Sequence, residues 1–321
     1  MNGKRRKKGK TAKWEMGTHP SHNNNMTYSP STLRPRKALR VALEGQRVLI
    51  TGAALADGVG RILAHVHALH GSLIAVADIA DLEPVAAECR ALGAARVVAI
   101  AFDAGVEGDS ARMVQAAAAA LGGTLDFLYL NHNAGVFSPM LQHPNLLGTA
   151  RRLMAINFFS YAEAADAALP LLAAGACARG AARPSCIVAI SSLAAEVPML
   201  DTHAYAASKA AIASWFGCLR IELRRDAAWA GRVAACLVVF SAVKTATLVT
   251  ALGGEGGPNK KVLQMAAHPV DAAFATVEAA VARAPVTHFP RSVGVLPRLY
   301  AVWPWLARKL INSVTVKSGV P

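Results

Sequence analysis

From Glu44 onward, short β-branched runs alternate with longer stretches rich in Ala and Leu, and this alternation leaves few folds open. Seven runs read as strands: Arg47–Thr51, Ser72–Asp78, Arg96–Phe102, Leu125–Asn131, Cys186–Ser191, Arg232–Phe240 and a short one near Val286–Pro290. Helical patterns separate them near Val59–Leu69, Leu82–Leu92, Glu107–Leu121, Leu146–Leu172, His203–Asp226 and Pro269–Ala282. Strand–helix–strand units of this length cross over in a right-handed sense and build a parallel sheet. The expected fold is α/β, a single doubly wound parallel sheet with helices on both faces. A sheet covered on both sides needs apolar strands, which suits a chain that is 54% hydrophobic and 17% charged. The 321 residues hold one such domain with tails, expected over 41–292, plus an extension over 293–321. Ala173–Pro184, with Gly175, Gly180 and Pro184, reads as an insertion loop.

The net charge of +14 would point to nucleic acid if it were spread over the fold. It is not. Met1 to Arg40 holds eleven Lys or Arg against the single acid Glu15, so most of the excess belongs to a tail expected to be disordered. A nucleic-acid partner is therefore not expected of the folded part. The tail has neither the apolar centre of a secretory signal nor the amphipathic stripe of a mitochondrial presequence. No apolar run reaches about 20 residues, and most of the five scattered cysteines, without CxxC spacing, read as core residues of an intracellular protein rather than metal ligands.

Chemistry begins at the end of the first strand, in Thr51-Gly52-Ala53-Ala54-Leu55-Ala56-Asp57-Gly58-Val59-Gly60. Glycines let a backbone turn sharply and approach a pyrophosphate, while the following helix presents unpaired N–H groups to it. Gly52, Gly58 and Gly60 are thus candidate cofactor contacts in a Rossmann-like fold. The second strand ends in Asp78, about 20 residues beyond the glycines, where an acid accepts hydrogen bonds from ribose hydroxyls and repels a 2′-phosphate. With Asp57 adding negative charge nearby and no base following Asp78, NAD is expected ahead of NADP. An ordinary helix cap is the competing reading of Asp78.

Tyr205 and Lys209 lie four apart in a helical pattern and so share a face. An unperturbed tyrosine titrates near 10, too high for acid–base work at neutral pH, and a neighbouring ammonium favours its phenolate. Ser192 ends an apolar strand thirteen residues earlier, where a hydroxyl points into the ligand crevice of a parallel sheet. Each feature alone is commonplace. Together they are not.

Gly52…Gly58-Val59-Gly60, Asn131-His132-Asn133-Ala134-Gly135, Asn157, Ser192 and Tyr205…Lys209 resemble the ordered motifs of the short-chain dehydrogenase/reductase family across Glu44 to Phe240. Leu130-Asn131-His132, Ile156–Tyr161, Leu169–Leu172 and Ser191–Ala194 resemble its 11-beta-hydroxysteroid dehydrogenase branch. The resemblance implies Tyr205 as catalytic acid/base and Lys209 as the group that lowers its pKa and holds the nicotinamide ribose. It implies Ser192 as the polariser of the substrate oxygen and Asn157 as the anchor of a water in a proton relay. Asn133, Ala134 and Gly135 would meet the adenosine side of the cofactor, and Asp103 its adenine.

Three positions depart from the family pattern. Five residues, not three, separate the first two glycines. His132 replaces the first Asn of Asn-Asn-Ala-Gly, and the Pro-Gly after the sixth strand is missing, leaving Thr245 or Thr247 to meet the carboxamide. The glycines of Ala251–Pro258 suit a mobile lid or a plain surface loop. Val295–Lys309 mixes Trp, Tyr and Leu with Arg and Lys, as a membrane interface, a pocket entrance or a docking face would.

The expected function is hydride transfer between a nicotinamide cofactor and a secondary alcohol or ketone of a lipophilic substrate, including hydroxysteroids. The expected setting is a homo-oligomer in the cytoplasm, with peripheral contact to a membrane such as that of the endoplasmic reticulum. The competing reading is a cofactor-binding scaffold whose basic tail meets acidic partners. A scaffold has no chemical need for Asn157, Ser192, Tyr205 and Lys209 together.

Overall fold

The computed structural model describes residues 28–180, 183–252, 254 and 260–312. Seven strands, β1 (Arg47–Thr51), β2 (Leu73–Asp78), β3 (Arg96–Ala101), β4 (Phe127–Leu130), β5 (Ser185–Ser192), β6 (Val233–Phe240) and β7 (Val286–Phe289), form one sheet in the order 3-2-1-4-5-6-7. Every pairing is parallel. The order reverses direction between β1 and β4, so the crevice outside their carboxyl ends is the topological switch point where ligands bind in such sheets.

The helices are α1 (Lys37–Leu43), α2 (Val59–Leu69), α3 (Glu83–Ala91), α4 (Asp109–Ala120), α5 (Leu146–Met154), α6 (Ser160–Ala178), α7 (His203–Arg225), α8 (Ala246–Ala251), α9 (Lys260–Met265), α10 (Pro269–Ala282), α11 (Val295–Val302) and α12 (Pro304–Asn312). Strand side chains alternate between two cores. Val48, Ile50, Ile74 and Val76 pack with α2 and α10, while Leu49, Leu128 and Ile187 pack with α4, α6 and α7. This two-sided burial is the reason the strands read as continuous apolar runs.

Three expectations need revision. The helix expected to end at Leu172 runs on to Ala178 despite Pro170, so the insertion loop is shorter than Ala173–Pro184. Gly175 is a packing glycine: a Cβ there would strike the Leu125 carbonyl oxygen, where helix and sheet approach closely. The stretch 28–40 is packed rather than disordered. Leu33 and Leu39 are buried, Tyr28 hydrogen-bonds His65, and Arg36 pairs with Glu278 while lying 4.0 Å over the Phe274 ring. Its charge had masked three apolar anchors, Tyr28, Leu33 and Leu39, which are enough to dock it. The rest of that tail, 1–27, lies outside the described residues, as do most of the glycines of Ala251–Pro258 and the last nine residues.

Candidate active site

The first turn after β1 owes its shape to two glycines. Gly52 has φ +69°, and a Cβ on it would stand 2.7 Å from the His132 backbone. Gly60, in the first turn of α2, would drive a Cβ into the Gly52 carbonyl oxygen and the Asn131 side chain. Asn131 fastens the junction, donating from Nδ2 to the Thr51 and Gly52 carbonyls at 3.1 Å each. Gly58 precedes α2 and has no side chain to cap it, so that eleven-residue helix begins uncapped at the cavity wall, which Gly58 and Val59 line. An uncapped helix start of this kind fits a diphosphate.

Asp78 sits on the cavity wall at the end of β2, its Oδ2 accepting from Ala54 N at 3.0 Å and its Oδ1 from Ala80 N at 3.2 Å. The nearest candidate cation is committed elsewhere. Arg61 pairs with Glu88 at 2.6 and 2.8 Å and donates to the Ala54 carbonyl at 3.1 Å. Asp103 lines the same end and accepts from Gly105 N at 2.8 Å. Asp57, expected to add charge around the ribose, lies instead against α8, where its Oδ2 accepts the Ala246 N–H at 2.5 Å. The added loop length carries it out of the crevice.

At the other end α7 delivers Tyr205 and Lys209. Lys209 is 1% exposed, donates from Nζ to the Ile190 carbonyl at 3.0 Å, and lies 6.0 Å from the centre of the Tyr205 ring. Burial pulls its pKa down to about 7. Burial pushes Tyr205 up from 10, while its hydrogen bond with Ser192 pulls the other way. Without a cofactor's positive charge Tyr205 is thus a phenol, ready to donate. Ser192 closes β5 in register with Phe240 of β6, and its Oγ accepts from Ala194 N at 3.2 Å.

Asn157 occupies a five-residue π-turn, Ala155–Phe159, between α5 and α6. Such widenings recur at functional sites because they turn a side chain out of helical register. Its Oδ1 accepts from Ala134 N at 2.9 Å, and its Nδ2 donates to the Ala134 carbonyl at 2.8 Å and to Ser208 Oγ at 3.0 Å. Asn157 therefore braces the Asn133–Gly135 turn against α7, and its side chain is fully engaged by protein. His132 is buried beside it, bonded to Thr51 Oγ1 at 2.8 Å and Ser160 Oγ at 2.7 Å, with its pKa drawn down to about 3 by burial and then by Lys209. It replaces an asparagine as a neutral bridge between β1 and α6.

Gly52, Gly58, Asp78, Asp103, Asn133, Ala134, Gly135, Ser192, Tyr205 and Lys209 line one cavity of about 1500 Å³. Gly60 and Asn157 stand behind that wall and hold it. The volume exceeds the roughly 300–1,000 Å³ of an ordinary small-ligand site, as a crevice for two ligands should. Most of the lining is apolar, with Phe137, Met199, Leu248, Leu252, Leu296 and Ile311 among it, beside Arg152, Asp201 and Thr202. Both Thr245 and Thr247 also reach the cavity, so the choice between them stays open. Sequence reasoning singled out Thr245, Thr247 and the Val295–Lys309 stretch but missed Phe137, Met199, Leu248 and Ile311. Their one signal was apolar character outside the regular alternation.

The model of the short chain dehydrogenase family matches residues 46–252, from β1 through α8. The chain belongs to the short-chain dehydrogenase family. It is similar to a hydroxysteroid 11-beta-dehydrogenase 1-like protein of Xenopus tropicalis, with 32% identity over 77% of this chain and 80% of the relative. A protein of the same name from Macaca fascicularis is 39% identical over 184 residues, 57% of this chain and 60% of the relative. Among solved structures, a short chain dehydrogenase from Burkholderia cenocepacia J2315 in complex with NADP superposes with a TM-score of 0.64 at 22% identity, covering 77% of this chain and 97% of that one. The resemblance to the hydroxysteroid branch thus stands, and with it the oxidoreductase class. Within this short-chain dehydrogenase, the altered glycine spacing and the missing Pro-Gly leave the family's crevice open and fully lined.

Proposed function

We propose that this short-chain dehydrogenase interconverts a secondary alcohol and a ketone on a lipophilic, steroid-sized substrate, with NAD(H) preferred over NADP(H). The carrying observation is that Ser192, Tyr205 and Lys209 line one cavity, mostly apolar, that Asp78 also lines. The glycine turn, the uncapped start of α2 and the braced Ala134 turn fit a dinucleotide lying across the carboxyl ends of β1 and β4. When bound, the nicotinamide supplies or takes the hydride.

The chain's own residues do the rest. In the reductive direction the Tyr205 hydroxyl donates its proton to the substrate oxygen as charge develops there, and Ser192 donates a second hydrogen bond to that oxygen. Lys209 would hold the nicotinamide ribose, which would favour its ammonium form, and that charge lowers the cost of leaving Tyr205 as a phenolate. Apolar walls from Phe137, Leu296 and Ile311 exclude water from the reacting carbon. For preference, Asp78 would accept from the adenosine ribose of a bound NAD(H), and Arg61, held by Glu88, would offer nothing to a 2′-phosphate.

The proposal extends to setting. No helix among the described residues is long and apolar enough to cross a membrane. Trp303 and Trp305 are 55% and 65% exposed on α11–α12, beside Arg308 and Lys309, which supports a peripheral approach to a membrane that holds the substrate. Self-association is proposed as well, on family grounds. The test of function is reduction of NAD⁺ or NADP⁺ with a panel of lipophilic secondary alcohols, and oxidation of NADH or NADPH with the matching ketones. Turnover of sterol-sized members with NAD(H) is expected, and no turnover with any member under either cofactor would overturn the reading.

A further inference from the structure

The glycine turn carries two residues beyond the family spacing, and the fold puts the last of them to use. Leu55 and Gly58 close the turn on themselves, Gly58 N donating to the Leu55 carbonyl at 3.0 Å. That closure throws Asp57 outward. Its carboxylate meets the N–H of Ala246, the first residue of α8, 189 positions along the chain. The neighbouring Thr245 hydroxyl serves Leu248 N at 3.4 Å, so Asp57 supplies what the helix start lacks. A carboxylate on a backbone N–H is a charge-assisted bond, stronger than a neutral one.

The two joined segments flank the same crevice. Leu55 and Gly58 line it on the glycine-turn side, and Thr245, Thr247, Leu248 and Ala251 line it from α8. The strand-side root of α8 is already fixed, with Val243 bridged to Ala267 and Lys244 N donating to the Ala267 carbonyl at 2.9 Å. One bond from Asp57 therefore ties a rooted flap to the opposite bank of the channel.

We propose that Asp57 is a positioning residue, a clasp that holds α8 against the glycine turn over the cofactor channel and so limits how fast a bound dinucleotide leaves. The inference rests on the dehydrogenase reading above. It also accounts for the lengthened loop, since a shorter one would not reach Ala246.

The experiment uses the full chain with NADH and, separately, NADPH, following release by stopped-flow fluorescence after a chase with unlabelled oxidised cofactor. Two variants break the same bond from opposite sides. Asp57→Ala removes the acceptor. Ala246→Pro removes the donor at a first-turn position where proline is tolerated, after Thr245 at φ −104° and ψ 158°, a geometry proline's predecessor favours. Losing one charge-assisted bond predicts release faster by about tenfold in both. Asp57→Asn keeps an acceptor oxygen and stays within about threefold of wild type. In the cofactor-free protein, tryptic cleavage at Lys244 accelerates in Asp57→Ala and Ala246→Pro and not in Asp57→Asn. If wild type binds the cofactor and both variants release it at the wild-type rate, the clasp is wrong and the dehydrogenase reading stands. If wild type binds neither NADH nor NADPH, the reading fails and takes the clasp with it.

Discussion

At the scale of single residues, the proposed function divides the site into groups assigned chemistry and groups that hold those groups still. Tyr205, Lys209 and Ser192 were legible because each sits on a strand end or helix face that spacing alone defines. Asn157 was found by resemblance, yet its engagement with Ala134 and Ser208 depends on a π-turn that no sequence periodicity signals. Asp57 was misplaced because a long loop leaves the direction of its side chains open. Two predictions belong here. Asp78→Ala should narrow the gap between NADH and NADPH affinity by at least about tenfold, since it removes both the ribose acceptor and the repulsion of a 2′-phosphate. Fluorescence titration of both cofactors measures it, and an unchanged ratio would remove Asp78 from the selectivity account. Lys209→Ala should weaken NADH binding and turnover together, whereas Ser192→Ala should lower kcat with cofactor affinity nearly intact. A Lys209→Ala protein with normal affinity would show that its ammonium does not hold the ribose.

Secondary-structure elements were the most readable level, because strands buried on both faces and helices at 3.6-residue spacing leave strong patterns. All seven strands fell where the apolar runs placed them. The misses share one cause: α1, α8, α9, α11 and α12 have six to nine residues, too short for a periodic stripe to stand out. They matter nonetheless. Ile311 of α12 packs with Leu193 and Val197 and lines the cavity, and α1 buries Leu39 and Leu43 in the core on the α2 and α10 side of the sheet. Truncation separates the docked part of the N-terminal segment from the rest. Deleting residues 1–27 removes none of the described contacts and should leave the thermal midpoint unchanged within error. Deleting 1–43 strips three buried leucines, each worth roughly 2 kcal/mol, and should lower the midpoint by many degrees. Equal midpoints for the two truncations would show that 28–43 contributes nothing to stability.

For the molecule as a whole, buried titratable groups link stability to pH. Burial pulls His65 down to about 4, against the opposing pull of Glu88, and takes His67 and His132 down to about 3. Histidines held neutral in the fold bind protons first in the unfolded chain as pH falls. Their stabilisation is thus complete above about 6.5 and drains away toward pH 3–4, by up to ~1.4 kcal/mol per pH unit for each. Lys209 follows the same sign higher up: with a folded value of about 7 against the usual 10.5, it makes the cofactor-free protein gain stability as pH rises through that window. Urea midpoints should fall steeply from pH 7 to pH 4, and the slope should ease in His132→Asn. A midpoint flat across that range would contradict the burial of these imidazoles.

The proposed function is likewise a property of the whole crevice, since α7, β5, the glycine turn and the C-terminal helices converge on the cavity in which Tyr205 is proposed to act as acid and base. Tyr205→Phe keeps the ring, its packing against Phe137 at 5.6 Å and the apolar surroundings, and removes only the hydroxyl. Steady-state kinetics of ketone reduction by this variant, beside wild type and with cofactor titration of both, tests the account most directly. The account predicts a loss of at least about 10²-fold in kcat with NADH affinity unchanged. Turnover at the wild-type rate in Tyr205→Phe would contradict it.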